Sequence, residues 1–144
     1  MKRIIITETQ YNNLFNKINK KSLLKDLDYM GYDQESAIEE LNYLINYYKN
    51  LPDNIKLYRI LQVNNKEDIN TNQLGYHYSP NKKDLLKSHF YSPNSNYYLV
   101  TVNSPKELID INNSISNNIL YPNEQEITLK NKGRGVEIIS IENV

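Results

Sequence analysis

The residues best suited to chemistry are two glutamates in the run Tyr121-Pro122-Asn123-Glu124-Gln125-Glu126-Ile127-Thr128-Leu129. The run reads as a turn feeding a strand, and residues i and i+2 of a strand point the same way. Glu124 and Glu126 are therefore expected side by side on one face. Two like charges held that close are costly, so such a pair faces solvent or has a use. One use is to stabilise positive charge that develops on a bound molecule. The plain alternative is an edge strand protected by charge. A second anchor is Arg59, alone among apolar residues in Lys56-Leu57-Tyr58-Arg59-Ile60-Leu61-Gln62-Val63. A planar guanidinium suits bidentate contact with a pyrophosphate. Leu57 and Leu61 share its face, which argues for a pocket wall, whereas strand alternation alone would turn it to solvent. Between the two lies Gly75-Tyr76-His77-Tyr78-Ser79-Pro80, which brings an imidazole, a phenol and a hydroxyl.

The elements that must position these groups fall into two parts. Residues 1–53 are expected to be mainly helical, and residues 54–144 mainly strands, within a single domain. Arg3-Ile4-Ile5-Ile6 can form a short strand. Thr7-Glu8-Thr9-Gln10 has capping-box spacing, and Tyr11, Leu14, Phe15 and Ile18 follow a helical period. A second helix is expected from Ser22 to Gly31, with Leu23, Leu24 and Leu27 on one side. Asp33 caps a third, in which Ala37, Ile38, Leu41, Leu44, Ile45 and Tyr48 form one apolar stripe before Pro52. That stripe is read as core.

From Leu57 the period changes. Strands are expected at 57–61, 76–79 and 97–102, the last rich in β-branched and aromatic residues. Asn81 to Ser88 is expected to be helical. Ser104-Pro105-Lys106-Glu107 reads as a helix start continued by Leu108, Ile109 and Ile111. Residues 114–118 read as polar loop, and strands around 124–130 and 135–142 follow, joined by a turn at Gly133 and Gly135. The fold class is α+β, with N-terminal helices packed on a mostly antiparallel, split sheet.

Composition bounds the function. The 144 residues suffice for one core, and the net charge of +0 does not advertise nucleic acid or anionic membrane. Cysteine is absent, which excludes disulfides, thiolate zinc sites and a cysteine nucleophile. The two histidines, His77 and His89, are too few for a convincing metal cluster, so no metal is expected. Met1-Lys2-Arg3 and three isoleucines do not make a secretory signal, and no apolar run approaches membrane-spanning length. A soluble, cytoplasmic protein is the expectation. Heavy use of Asn, Lys, Ile and Tyr suggests an AT-rich genome, such as that of a phage or a low-GC bacterium.

The order Arg59, then Tyr78-Ser79, then Tyr121-x-x-Glu124-x-Glu126 resembles the mono-ADP-ribosyltransferases of the Arg-Ser-Glu type. The downstream run Ile127-Thr128-Leu129, Lys132-Gly133-Arg134-Gly135 and Val136 to Ile141 also looks like that family's closing hairpin, so the resemblance covers residues 55–144. It implies an ADP-ribosyltransferase-like split antiparallel core and NAD as co-substrate. It implies that Glu126 stabilises an oxocarbenium-like ribose while binding its hydroxyl. Glu124 would contact the incoming nucleophile, a glutamate there being usual for arginine acceptors. Arg59 would face the NAD phosphates, Ser79 would orient Glu126, and Tyr121 would recognise the target on a mobile turn. Where the family commonly has Ser-Thr-Ser, this chain has His77-Tyr78-Ser79. His77 would contact ribose or the nicotinamide amide, or be structural. Tyr78, Phe90 and Tyr91 are candidates for stacking on nicotinamide or adenine.

The resulting expectation is transfer of ADP-ribose from NAD to a macromolecular acceptor, a protein side chain with arginine favoured. Such an activity would fit a toxin or effector, and a phage origin would direct it at host machinery. Two alternatives stand beside it. One is an NAD glycohydrolase toxin; the other is a catalytically inactive inhibitor that binds a host protein. A nucleic-acid acceptor is disfavoured by the neutral charge.

Overall fold

The computed structural model describes residues 18–122 and 125–144. The expected strand at 3–6 and the first helix lie outside the described residues, as does Glu124. Helix α1 spans Lys20–Tyr29 and α2 spans Gln34–Lys49. The chain then runs through β1 (Asn54–Gln62), β2 (His77–Tyr78), α3 (Lys82–Ser88), β3 (Tyr97–Pro105), α4 (Ile111–Leu120), β4 (Ile127–Thr128) and β5 (Glu137–Asn143). Short 3-10 turns occupy Lys66–Asp68, Lys106–Leu108 and Lys130–Gly133. The class is α+β, and the described residues form two antiparallel sheets.

The larger sheet has the order β1-β3-β5. Its β1–β3 ladder runs without interruption from Asn54 opposite Pro105 to Gln62 opposite Tyr97. Strand β3 is central and buried from Tyr97 through Val102, as its β-branched and aromatic content demands. The smaller sheet pairs β2 with β4, with His77 opposite Thr128 and Tyr78 opposite Ile127. Among the described residues one bridge ties the two sheets. Tyr58 N–H donates to the Ser79 carbonyl at 2.9 Å, and Ser79 N–H donates to the Tyr58 carbonyl at 2.8 Å. The edge of β1 that β3 does not use therefore carries the first residue after β2.

The helices bury one face each against this framework. Leu23 and Leu27 of α1, and Ala37, Leu41, Ile45 and Tyr48 of α2, join Ile111, Ile115 and Ile119 of α4 in a core shared with Leu57, Val100, Val102 and Ile127. The start of α1 is set by Asn19, whose side chain accepts from Ser22 N–H, so Ser22 is inside the first turn and not its cap. Asp33 caps α2 as expected, accepting from Ser36 N–H at 2.8 Å, and that bond holds its carboxyl below the usual range. Ile38 departs from the expected stripe. It is 46% exposed, because the buried face follows 37, 41, 45 and 48 and leaves position 38 to one side.

The stretch from Ser104 to Asn118 differs most from the reading of its sequence. Ser104 and Pro105 remain in β3, opposite Ile55 and Asn54, and the Ser104 hydroxyl donates to the Pro105 carbonyl instead of capping a helix. The helix begins nearly two turns later, where Asp110 accepts from Asn113 N–H at 3.1 Å. It then continues through the segment expected to be loop. Asn and Ser are mediocre helix formers, costing about 0.5 kcal/mol each relative to alanine. Ile111, Ile115 and Ile119 recur every fourth residue and are buried. Each contributes about 1.5–3 kcal/mol on burial, which outweighs the propensity cost.

Candidate functional site

The smaller sheet is where the sequence-derived residues meet. Arg59, on β1, reaches across to β2. Its Nη1 donates to the His77 carbonyl at 2.7 Å, and its guanidinium carbon lies 5.9 Å from the centre of the Tyr78 ring. Gly75 makes room for it. A Cβ on Gly75 would lie 2.7 Å from the guanidinium carbon, and the residue has φ +117°, a conformation that side chains disfavour. Arg59 Nε is buried and has no hydrogen-bond partner among the described residues. The guanidinium is thus an internal brace of β2, with one nitrogen unsatisfied.

Tyr78 is the centre of this brace. Its side chain is buried, and its hydroxyl donates to the Gly75 carbonyl at 2.9 Å. Burial pushes the phenol up to about 12, with the Arg59 charge opposing the shift. A Cβ on Gly133 would lie 2.3 Å from the Tyr78 hydroxyl oxygen, so glycine is required there by space as well as by its φ of +74°. Gly75 N–H closes the loop by donating to the Lys132 carbonyl at 3.0 Å. The 130–133 turn, in which Asn131 and Lys132 both adopt left-handed backbone, is therefore fastened to β2. With its ring enclosed in this way, Tyr78 does not present the open face that stacking on a base needs. Phe90, 79% exposed, does.

Glu126 stands just ahead of β4. The expectation that 124 and 126 project from one strand face rests on Glu124, which lies outside the described residues. The strand begins only at Ile127, and Gln125 has φ +47°, which interrupts the extended alternation. Glu126 is held by its backbone. Its carbonyl accepts from the Asn118 side-chain amide at 3.0 Å and lies 3.4 Å from the Tyr48 hydroxyl. Asn118 also contacts the Tyr48 hydroxyl directly. Burial raises the Tyr48 phenol strongly; nearby Tyr47 adds to the rise, and the Asn118 contact opposes it. Thr128 is stitched to α4 in the same way. Its N–H donates to Ser114 Oγ at 2.8 Å, and its Oγ1 accepts from Asn117 at 3.1 Å.

These polar helix residues were missed as participants, because a run of Asn and Ser reads as loop. Their signal was the spacing 114, 117 and 118, which puts all three on one helical face.

The Glu126 carboxylate meets His77. His77 Nδ1 lies 3.3 Å from Glu126 Oε2 and 3.4 Å from Thr128 Oγ1. The pairing register explains it. His77 is opposite Thr128, and Glu126 is the diagonal neighbour two residues before Thr128, within reach of a long side chain. The imidazole is 50% exposed and the carboxylate 28%, so both are open to a ligand.

Ser79 is engaged locally in this structure. Its hydroxyl donates to the Asn81 carbonyl and accepts from Asn81 N–H, each at 3.1 Å, closing a local turn ahead of α3. The group beside Glu126 is His77. Tyr121 is 57% exposed and follows the last turn of α4.

Arg59, His77, Tyr78, Ser79 and Glu126 are therefore brought to one end of the smaller sheet. Among the described residues no helix is long and apolar enough to cross a membrane, and no three His, Asp or Glu side chains converge as metal ligands would. In the comparisons with known proteins, no family model, no curated protein and no solved structure matches this chain.

Proposed function

We propose that this protein is an NAD-dependent mono-ADP-ribosyltransferase that modifies a protein side chain, with an ADP-ribosyltransferase-like arrangement of its two sheets. The reading is carried by the Glu126 carboxylate, which sits partly open at the end of β4 beside His77, 3.3 Å away. A carboxylate held there by the Asn118–Glu126 backbone bond can stabilise positive charge on a ribose without reorganising. The resemblance of the motif order adds to this. The division of the described strands into two antiparallel sheets supports it too. In this reading Glu126 and His77 bind the nicotinamide ribose, and Tyr121 with Glu124 meets the acceptor. Arg59 acts mainly by bracing β2.

A second reading is a protein-binding module without catalysis, and one observation favours it. Arg59 Nη1 and the Ser79 hydroxyl, which the resemblance directs toward NAD and Glu126, are already engaged within the protein. Calorimetric titration of the full chain with NAD separates the two. Saturable binding is expected, and its absence at millimolar NAD would leave the binding module as the better account. Labelled NAD with cell lysate then divides transfer, which labels a macromolecule, from glycohydrolase activity, which yields only free ADP-ribose.

A further inference from the structure

We infer that His77 is a catalytic base, held as one half of a carboxylate–imidazole dyad whose other half is Glu126; the identity of its substrate rests on the ADP-ribosyl reading. Three observations converge on it. Nδ1 of His77 faces Glu126 Oε2 at 3.3 Å and Thr128 Oγ1 at 3.4 Å, two oxygen partners on the same side of the ring. In the dyad the Glu126 carboxylate accepts, so Nδ1 carries the hydrogen. Nε2 is then the accepting nitrogen. Among the described residues nothing bonds to it, and half of the side chain is open to solvent. The 3.3 Å separation is on the long side for a hydrogen bond, as catalytic pairs often are before substrate binds.

The surroundings keep this geometry from drifting. The backbone of His77 is clamped from one side by the 2.7 Å bond from Arg59 and from the other by pairing with Thr128. Thr128 is in turn fixed to α4 through Ser114 and Asn117. A brace of this kind on both halves of a dyad is what holding a tautomer requires.

The chemistry balances. A hydroxyl nucleophile gives its proton to His77 Nε2 as its oxygen bonds to ribose C1′. The bond from C1′ to nicotinamide breaks, and its electron pair leaves with the neutral base. Glu126 Oε2 offsets the imidazolium charge while Oε1 remains for the sugar, and the proton then passes to solvent. An imidazole base suits a neutral hydroxyl acceptor, either water or a serine, threonine or tyrosine side chain. It is a poorer match for a guanidinium, whose nitrogens have no free lone pair until a proton has left, whereas a hydroxyl oxygen attacks with one it already carries. The dyad therefore points to hydroxyl acceptors over the arginine that the Glu124 position suggests.

The test uses the full chain and two readouts. Nitrogen-15 NMR of the unliganded protein, with His77→Gln to assign the resonance, is expected to find the proton on Nδ1. Glu126→Ala is expected to release the ring to a mixture of tautomers. Nicotinamide release by His77→Gln is expected to fall about 100-fold at unchanged folding, with partial rescue of His77→Ala by added imidazole. A proton on Nε2 in the wild-type chain would overturn the dyad, whatever the turnover. So would a His77→Gln rate within threefold of wild type. If wild type releases no nicotinamide but carries the Nδ1 proton, the ADP-ribosyl reading falls and the dyad stands.

Discussion

Replacing Arg59 by alanine separates a bracing role from a phosphate-binding role. The structure permits the magnitude to be worked. The 2.7 Å bond to the His77 carbonyl has a charged donor, and losing it costs about 1.5–3 kcal/mol. The guanidinium 5.9 Å from the Tyr78 ring centre adds about 0.5–1 kcal/mol. Against these, the unpartnered buried Nε disappears, which returns about 1 kcal/mol. The net loss is about 2 kcal/mol, or roughly 6 °C in Tm for a chain of this size. Urea denaturation at pH 7 measures it directly. NAD titration well below the midpoint then reads the second role. Arg59→Lys keeps the charge but not the planar donor, and is expected to lose most of the stability as well. Stability within 0.5 kcal/mol of wild type for Arg59→Ala would refute the brace. A normal Tm with NAD affinity lowered tenfold or more would return Arg59 to the phosphates.

Glu126→Gln is expected to lower nicotinamide release by about 100- to 1000-fold with the fold intact, and near-normal turnover would remove Glu126 from the site. Gly133→Ala combines a left-handed φ of +74° with a Cβ 2.3 Å from the buried Tyr78 hydroxyl oxygen, so a loss of about 2–4 kcal/mol is expected in urea melts. Adding Tyr78→Phe should recover part of that loss, and simple additivity of the two changes would contradict the clash. Tyr78 also sets an alkaline limit. Its folded-state phenol is raised from 10.0 to about 12, so its contribution is complete below pH 10 and is lost as pH climbs toward 12. That loss amounts to about 2–3 kcal/mol. Urea midpoints at pH 9 and pH 12 should fall further apart in wild type than in Tyr78→Phe, and equal slopes would refute the assignment.

Much of the framework was legible along the chain because it depends on local chemistry. The Asp33 cap, the stripe at 37, 41, 45 and 48, the β-branched run of β3 and the two glycines near 133 each announce themselves within a few residues. The α+β class follows from that pattern, but the expected closing hairpin does not form: β4 pairs with β2 and β5 with β3, in separate sheets. The α4 segment was not legible, since its poor propensity is offset only by burying Ile111, Ile115 and Ile119 against distant elements. At the site, residue types pointed to Arg59, His77, Ser79 and Glu126, but could not say which touches which.

Sequence alone determined the inventory: a lone arginine on an apolar strand, an imidazole two residues before a serine, a carboxylate pair, and neither cysteine nor net charge. It did so because residue chemistry and short-range period are properties of neighbours along the chain. Tertiary structure alone decided the partnerships. The diagonal across β2 and β4 brings His77, not Ser79, to the Glu126 carboxylate, and the space above Gly75 turns Arg59 inward. Pairing register and steric room arise only where segments remote in sequence pack together.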